Sequence, residues 1–386
     1  MVSSIAIPSI MEVGKHASAN LPKVLHSLGA TKPLIITDKM MVKLGYIQNI
    51  QNILSEAGFS SEVFADTIPE PTSSSILAGV QFSQSQAFDA IIAVGGGSPI
   101  DSAKAISILS THGGKIRDYK FPNLTNQAGI PVIAVPTTAG TGSEVTRFTI
   151  ITDDENNEKM LCAGLGFMPK AAIIDYSLTL SLPPRTTADT GIDALTHAIE
   201  AYVSKKANLY SDSQAIAAMK LIGPNLRTVY HQPEHEQARE AMMLGSTLAG
   251  AAFSNASVAL VHGMSRPIGA FFHVPHGLSN AMLLPMITEF SIPAAPERYA
   301  DCARAIGIAS EQDDTEIANQ KLVQFLQDLN RELNVPTLAE FGASQTEFDQ
   351  IIHTMAEQAK ASGSPDNNPR VPNIDEMVGL YQKLWN

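Results

Sequence analysis

Between residues 33 and 175, short apolar runs rich in β-branched side chains alternate with stretches whose apolar positions recur at helical spacing. The runs are residues 33–38 (PLIITD), 89–94 (DAIIAV), 131–135 (PVIAV) and 171–175 (AAIID), and the intervening helices include residues 47–58 and 73–83. This βαβ rhythm predicts a parallel sheet with right-handed crossovers and ligands at the C-terminal ends of its strands. Beyond Leu182-Pro183-Pro184 the strand signals fade. Long Ala-, Leu- and Met-rich segments follow and predict helices over residues 185–203, 211–221, 236–269 and 315–333. The paired prolines, which suit neither a ladder nor the helix before them, place the boundary there. The expected organisation is an α/β domain over residues 1–183 and an all-α domain over residues 184–386. No repeat of 20 to 50 residues is present, and residues 359–371 form a polar loop.

Composition adds limits to this picture. A chain of 386 residues and 41.2 kDa exceeds one compact core, and 44% apolar residues exclude a largely disordered or fibrous protein. The formal charge of −12 opposes phosphate backbones and anionic lipid surfaces, so neither nucleic acid nor membrane is an expected partner. Cys162 and Cys302 stand far apart without a CxxC pair, which suggests neither a disulfide framework nor a thiolate metal site and fits a reducing cytoplasm. The first residues lack the basic start and apolar run of a signal peptide, and no stretch has the length of a bilayer span. A cytoplasmic protein is expected.

Two polar turns carry the first candidate chemistry. The run ending at Val94 leads directly into Gly95-Gly96-Gly97-Ser98-Pro99, where glycines permit close backbone approach and Ser98-Pro99 opens a helix. Amides at such a helix start suit a pyrophosphate, and a plain strand-to-helix turn is the alternative; the sequence matches neither GxGxxG nor a Walker A loop. Residues 136–144 (PTTAGTGSE) follow the next strand, either lining the same crevice or capping a helix at Ser143. Asp38, at the end of the first run, is placed either to accept from an adenosine ribose, selecting NAD over NADP, or to cap the helix beginning at Lys39.

Asp193 and His197 stand four residues apart, so a helix presents both on one face. An ordinary helical ion pair is one reading. Their apolar surroundings favour the other, a metal pair completed by His262 and by His276, the latter in a turn. One carboxylate and three imidazoles suit Fe(II), Zn(II) or a related divalent ion, and ligand type alone does not choose among them. His16, His26, His112, His231, His235 and His353 lie in polar or terminal contexts and read as surface residues, with His273 ambiguous.

In order along the chain, GGGSPIDSAK (95–104), PTTAGTGSEVTRFTIIT (136–152), TGIDALTHAIEAY (190–202) and VHGMSRPIGAFFHVPHG (261–277) resemble the signature blocks of the iron-containing, group III alcohol dehydrogenases. The resemblance covers essentially the whole chain and is most specific in the last two blocks. It implies a dehydroquinate synthase-like architecture, with an NAD-binding α/β domain, an all-helical metal-binding domain and a reaction cleft between them. It implies Asp193, His197, His262 and His276 as ligands of Fe(II) or another divalent metal. Asp38, Gly96, Gly97, Ser98, Asp101, Thr137, Thr138, Thr141, Phe148, Lys159 and Leu178 are the implied NAD contacts, the last three by alignment alone. The implied chemistry is Lewis-acid activation of a small alcohol, or of an aldehyde in reverse, with hydride passing to or from nicotinamide.

One position departs from the pattern, because Arg266 stands where relatives usually carry a histidine credited with proton relay. An arginine is a poor base, which leaves solvent, the cofactor ribose or His273 for proton exchange. Arg266 either lines the substrate channel and favours an anionic substrate such as a hydroxy acid, or faces solvent or pairs with a surface acid. The same architecture also resembles glycerol dehydrogenases and dehydroquinate synthases, and a catalytically idle NAD- or metal-binding protein is a further reading. Residues 5–8 (IAIP) form a candidate strand pairing across a two-fold axis, so a homodimer or larger homo-oligomer is expected.

Overall fold

The computed structural model describes residues 2–156 and 158–385, which divide into two compact units, Ile5–Ser181 and a second made of the chain from Leu182 onward together with the residues before Ile5. The strands of the first unit are β1 (Ile10–Val13), β2 (Pro33–Ile36), β3 (Glu62–Phe64), β4 (Ala90–Gly95), β5 (Val132–Pro136), β6 (Phe148–Asp153), β7 (Glu158–Ala163) and β8 (Ala171–Ile174). Six of them form one parallel sheet in the order β1-β8-β5-β4-β2-β3, while β6 and β7 make a separate antiparallel hairpin with Thr152 opposite Lys159. Its helices are α1 (Leu21–Ser27), α2 (Lys39–Lys43), α3 (Tyr46–Glu56), α4 (Ser73–Ser83) and α5 (Gly97–His112).

The central strands lack polar alternation because both sheet faces are covered. Leu34, Ile36, Ile91 and Ala93 share a core with Ile76 and Val80 of α4 and Ile100, Ala103 and Ile106 of α5. Ile35, Ile92 and Val94 belong to the opposite core, with Leu21, Val24 and Leu25 of α1 and Ile47, Ile50 and Leu54 of α3. Each Leu, Ile or Val side chain among them contributes about 1.5–3 kcal/mol by leaving water, so the pattern fixes both the strands and the helices over them. The sheet contains the four expected runs. It also contains β1 and β3, whose alternating or charged residues gave no apolar run. Residues 5–8 lie in no strand of the single chain, and Ile5 and Ile7 are 41% and 47% exposed.

The second unit is helical: α6 (Pro184–Val203), α7 (Leu209–His231), α8 (Glu236–Asn255), α9 (Leu260–Phe272), α10 (His276–Ser291), α11 (Pro296–Ile306), α12 (Thr315–Glu332), α13 (Leu338–Phe341), α14 (Gln345–Ala361) and α15 (Ile374–Gln382). α6 is buried on almost every side, as a central helix must be. The expected helix over residues 211–221 runs on through Pro224 to His231.

The single helix expected over residues 236–269 is a misreading. The chain breaks after Asn255, and α8 and α9 lie at 102°. No glycine or proline marks the break. Distant side chains satisfy its backbone groups: Asn208 donates to the Asn255 carbonyl, Asn367 to Ser257 Oγ and the Val258 carbonyl, and Glu200 accepts the Ala259 and Val261 amides. Among the described residues no single helix is long and apolar enough to cross a membrane.

Candidate active site

In the first unit the strand order reverses between β2 and β4, since β2 leads outward to β3 while β4 leads the other way to β5. A crevice outside the C-terminal ends of those two strands is where open α/β sheets bind ligands. Gly95 ends β4 with φ of +147°, and a Cβ on it would lie 2.5 Å from Pro99 Cγ, so only glycine fits. Gly96 is the extended N-cap of α5, with no side-chain cap on the helix amides. A Cβ on Gly96 or Gly97 would come within 3.3 Å of Thr138 Cγ2 or 3.0 Å of Thr141 Cγ2, so the two polar turns form one bare-backbone cradle. The Thr137 amide donates to the Gly95 carbonyl at 2.9 Å, tying the turns together. The cradle fits a dinucleotide pyrophosphate at a helix start.

The remaining expected cofactor residues have varied surroundings. Ser98 is half-buried and accepts the Glu70 amide at 3.3 Å. Asp38, just past β2, caps α2 by accepting the Met41 amide on Oδ1 at 2.9 Å, while Oδ2 makes no hydrogen bond among the described residues. The Thr137 hydroxyl points to Met41 Sδ at 3.4 Å.

Asp101 is committed internally: Oδ1 accepts Ser143 Oγ at 2.6 Å and Oδ2 accepts the Ile150 amide at 3.0 Å. Beside it the buried Lys104 ammonium reaches Ser143 Oγ, both oxygens of Thr146 and the Phe148 carbonyl at 2.8–3.1 Å. Burial pulls the Lys104 ammonium down to about 8 against the opposing charges of Asp101 and Glu144, and burial likewise raises Asp101. These two residues therefore lock α5 to β6. Lys159 on β7 pairs with Glu70 at 2.9 Å, and Leu178 is a core residue at 6% exposure. Ser143 opens only a short 3₁₀ turn, Ser143–Val145, after Gly142 at φ of +62°.

In the second unit α6 presents Asp193, His197 and Glu200 along one stripe, α9 supplies His262 and α10 begins at His276. One donor atom from each of Asp193, His197, His262 and His276 lies within 4.8 Å of every other. Asp193 Oδ1 is 3.5, 3.8 and 3.9 Å from the Nε2 atoms of His262, His276 and His197. The first three residues are buried and His276 is partly exposed. His197 is stacked between Phe253 and His262, with ring centroids 4.3 and 4.4 Å away.

Glu200 Oε2 faces His262 Nδ1 at 2.7 Å, and because a carboxylate only accepts, it assigns a proton to Nδ1 and leaves Nε2, the nitrogen facing Asp193, as the atom that can bind metal. Asn280 Nδ2 lies 2.7 Å from Asp193 Oδ1 and 3.2 Å from Nε2 of both His262 and His276. Burial opposes ionisation of Asp193, yet the three imidazoles outweigh it and hold the carboxyl well below its usual range. Burial also disfavours the His262 cation, but Asp193 and Glu200 prevail and raise it to about 9. Ring nitrogens and the negative charge of Asp193 thus converge on one buried point, where a bound cation takes the place of the proton that the carboxylates hold on His262. A divalent cation satisfies both, and the thiolate-free donor set fits Fe(II) or Zn(II).

His273 ends α9 in the left-handed region at φ of +55° with its side chain exposed, outside the four-donor cluster. Arg266 lies on α9 one turn beyond His262 and is only partly exposed. The other six histidines are exposed, as their contexts indicated. Sequence reading missed Glu200, Asn280 and Phe253. The first two were signalled by spacing, Glu200 seven residues after Asp193 and Asn280 four after His276, each returning to the ligand's face of its helix.

The family model for iron-containing alcohol dehydrogenase matches residues 8–176, and that for the C-terminal part of the Fe-containing alcohol dehydrogenase family matches residues 187–385. The chain is 35% identical to lactaldehyde reductase of Escherichia coli K12, over 96% of this chain and 97% of the relative. Its structure is similar to that of a 1,3-propanediol oxidoreductase, with a TM-score of 0.95, 35% identity and all of both chains covered. It is also similar to sulfoacetaldehyde reductase from Bifidobacterium kashiwanohense in complex with NAD+, with a TM-score of 0.89 and 29% identity over 100% of this chain and 99% of the other. Two consecutive family matches, with a helical four-donor centre in the second, leave one assignment: the chain belongs to the iron-containing alcohol dehydrogenase family.

Proposed function

We propose that this protein interconverts small alcohols, including hydroxy acids, with their aldehydes, using NAD and a divalent metal, Fe(II) in the first instance, held by Asp193, His197, His262 and His276. The observation that carries this reading is the convergence of those four donors from three separate helices on one point. When bound, the metal supplies electrophilic stabilisation of the substrate oxygen, and the nicotinamide exchanges hydride with the substrate carbon.

The chain's own residues supply the remainder. Glu200 orients His262, Asn280 braces Asp193, and the stack of Phe253 on His197 shields the donors from water. In the other unit the glycine cradle offers backbone amides to the pyrophosphate, with Asp38 at the ribose position and Thr138 and Thr141 beside the turn. Support for small alcohols and aldehydes comes from relatives named lactaldehyde reductase and 1,3-propanediol dehydrogenase. We read the protein as cytoplasmic, in keeping with two free, buried cysteines, and as a homodimer using residues 5–8 and the adjacent edge strand β1.

Protein purified without oxygen and reconstituted with Fe(II) is expected to consume NADH with neutral aldehydes or succinic semialdehyde, with chelator sensitivity and no turnover in Asp193→Ala. Binding of metal and NAD without turnover of any aldehyde would overturn the oxidoreductase reading. Sedimentation of the same sample at two concentrations tests the dimer.

A further inference from the structure

We propose that Arg266 selects substrates carrying a carboxylate, so that the favoured substrates are short aldehyde acids and the corresponding hydroxy acids. This deepens the reading above, because it takes the four-donor cluster as the reaction centre.

Three observations carry it. Arg266 follows His262 by four residues on α9, which puts both side chains on one face of that helix. Its guanidinium makes no hydrogen bond or ion pair among the described residues, although the residue is only partly exposed and burial opposes its charge. Every other arginine of the second unit has an acceptor: Arg185 holds Asp189, Arg227 holds Glu332, Arg239 holds the Pro233 carbonyl, Arg298 holds Asp212, Arg304 holds Asp301, Arg331 holds Asp328 and Arg370 holds Glu376.

Arg266 is half-buried and its five N–H donors have no acceptor among the described residues, so water alone is left to them; a carboxylate satisfies such a fork in two parallel hydrogen bonds. Glu200 attracts Arg266 electrostatically, yet its oxygens are occupied by His262, Ala259 and Val261. Charge balance points the same way. A divalent ion is neutralised by Asp193 and Glu200 together, so the cation on Arg266 is left for a substrate monoanion to offset.

The test pairs succinic semialdehyde with butanal, which lacks the carboxylate, on metal-reconstituted enzyme with NADH. The wild type is expected to have the higher kcat/KM for the acid. Arg266→Gln should reduce the acid-to-neutral ratio by about 10- to 100-fold, chiefly through KM, with Arg266→Lys intermediate because it keeps charge but loses the planar fork. Calorimetric titration with 4-hydroxybutyrate supplies a second readout, and its affinity should fall by a similar factor in Arg266→Gln. Equal losses on both aldehydes, or equal 4-hydroxybutyrate affinity in wild type and Arg266→Gln, would overturn the proposal. If the wild type reduced neither aldehyde, the oxidoreductase reading would fail, and the calorimetric comparison would still decide the role of Arg266. Should the glutamine variant fold poorly, the lysine variant provides the same comparison.

Discussion

Glu200 Oε2 lies 2.7 Å from His262 Nδ1, and the same carboxylate receives the amides of Ala259 and Val261 at 2.8 and 2.6 Å. One side chain therefore starts α9 and fixes which ring nitrogen of His262 is free for metal. Glu200→Gln nearly preserves shape but replaces one acceptor oxygen with a donor. Metal affinity is expected to fall by about 10- to 100-fold, the usual cost of losing such a support. Competition of Zn(II) between protein and a coloured chelator measures it, and wild-type affinity in the variant would refute the role.

Asp193 is the only carboxylate in the four-donor cluster, and its Oδ1 faces all three imidazoles. Asp193→Ala should bind metal too weakly to retain it through gel filtration, and turnover should fall by about 1,000-fold or more, as expected when electrophilic stabilisation is lost. Chelation should bring the wild type to the same level. Adding Fe(II) back should restore only the wild type; recovery of the variant would show that the other donors suffice.

Asp38 combines a cap on the Met41 amide with a position at the C-terminal end of β2. Serine retains the cap and removes the charge, so Asp38→Ser separates the two roles. Unfolding free energy should change by no more than about 0.5 kcal/mol, while the NADPH-to-NADH ratio of kcat/KM should rise about tenfold as repulsion of the 2′-phosphate disappears. An unaltered cofactor ratio would confine Asp38 to capping.

Burial dominates the environment of Lys104 and lowers it from 10.5 to about 8. The unfolded chain then binds the extra proton between those values, so stability contributed at this site rises with pH across that window. The gain amounts to about 3 kcal/mol at full deprotonation, because each tenfold change in proton affinity is worth roughly 1.4 kcal/mol. Lys104→Met lacks this titration and strands the acceptors of Ser143, Thr146 and Phe148. It should be less stable than wild type by about 2–4 kcal/mol at pH 7, with a gap that widens above pH 8. Urea unfolding of both proteins from pH 7 to 10 measures the difference, and parallel curves would show that the folded ammonium titrates as it does in the unfolded chain.

Much of this was legible in the chain wherever the determining contacts were local. Residues 33–38 and 89–94 were read as strands because Leu34, Ile35, Ile91 and Ile92 feed cores on both faces, leaving no room for polar alternation. The Asp193–His197 spacing revealed a shared helix face for the same reason, since helical geometry alone puts residues four apart together. The break between α8 and α9 was illegible because nothing in Asn255-Ala256-Ser257-Val258 forbids helix; the acceptors and donors that stabilise it come from Asn208, Asn367 and Glu200, remote in sequence.

The sequence by itself determined the alternating and helical halves, the glycine turn after β4 and the residue types able to hold a metal, because propensity and periodicity act over a few residues. Only the tertiary structure decided which groups serve the site and which serve the fold. It committed Asp101 and Lys104 to locking α5 to β6, enlisted Glu200 and Asn280 behind the four donors, and left Arg266 without an acceptor. Those assignments depend on hydrogen bonds and charges satisfied across long sequence separations, and such partners exist only once the helices and strands have packed.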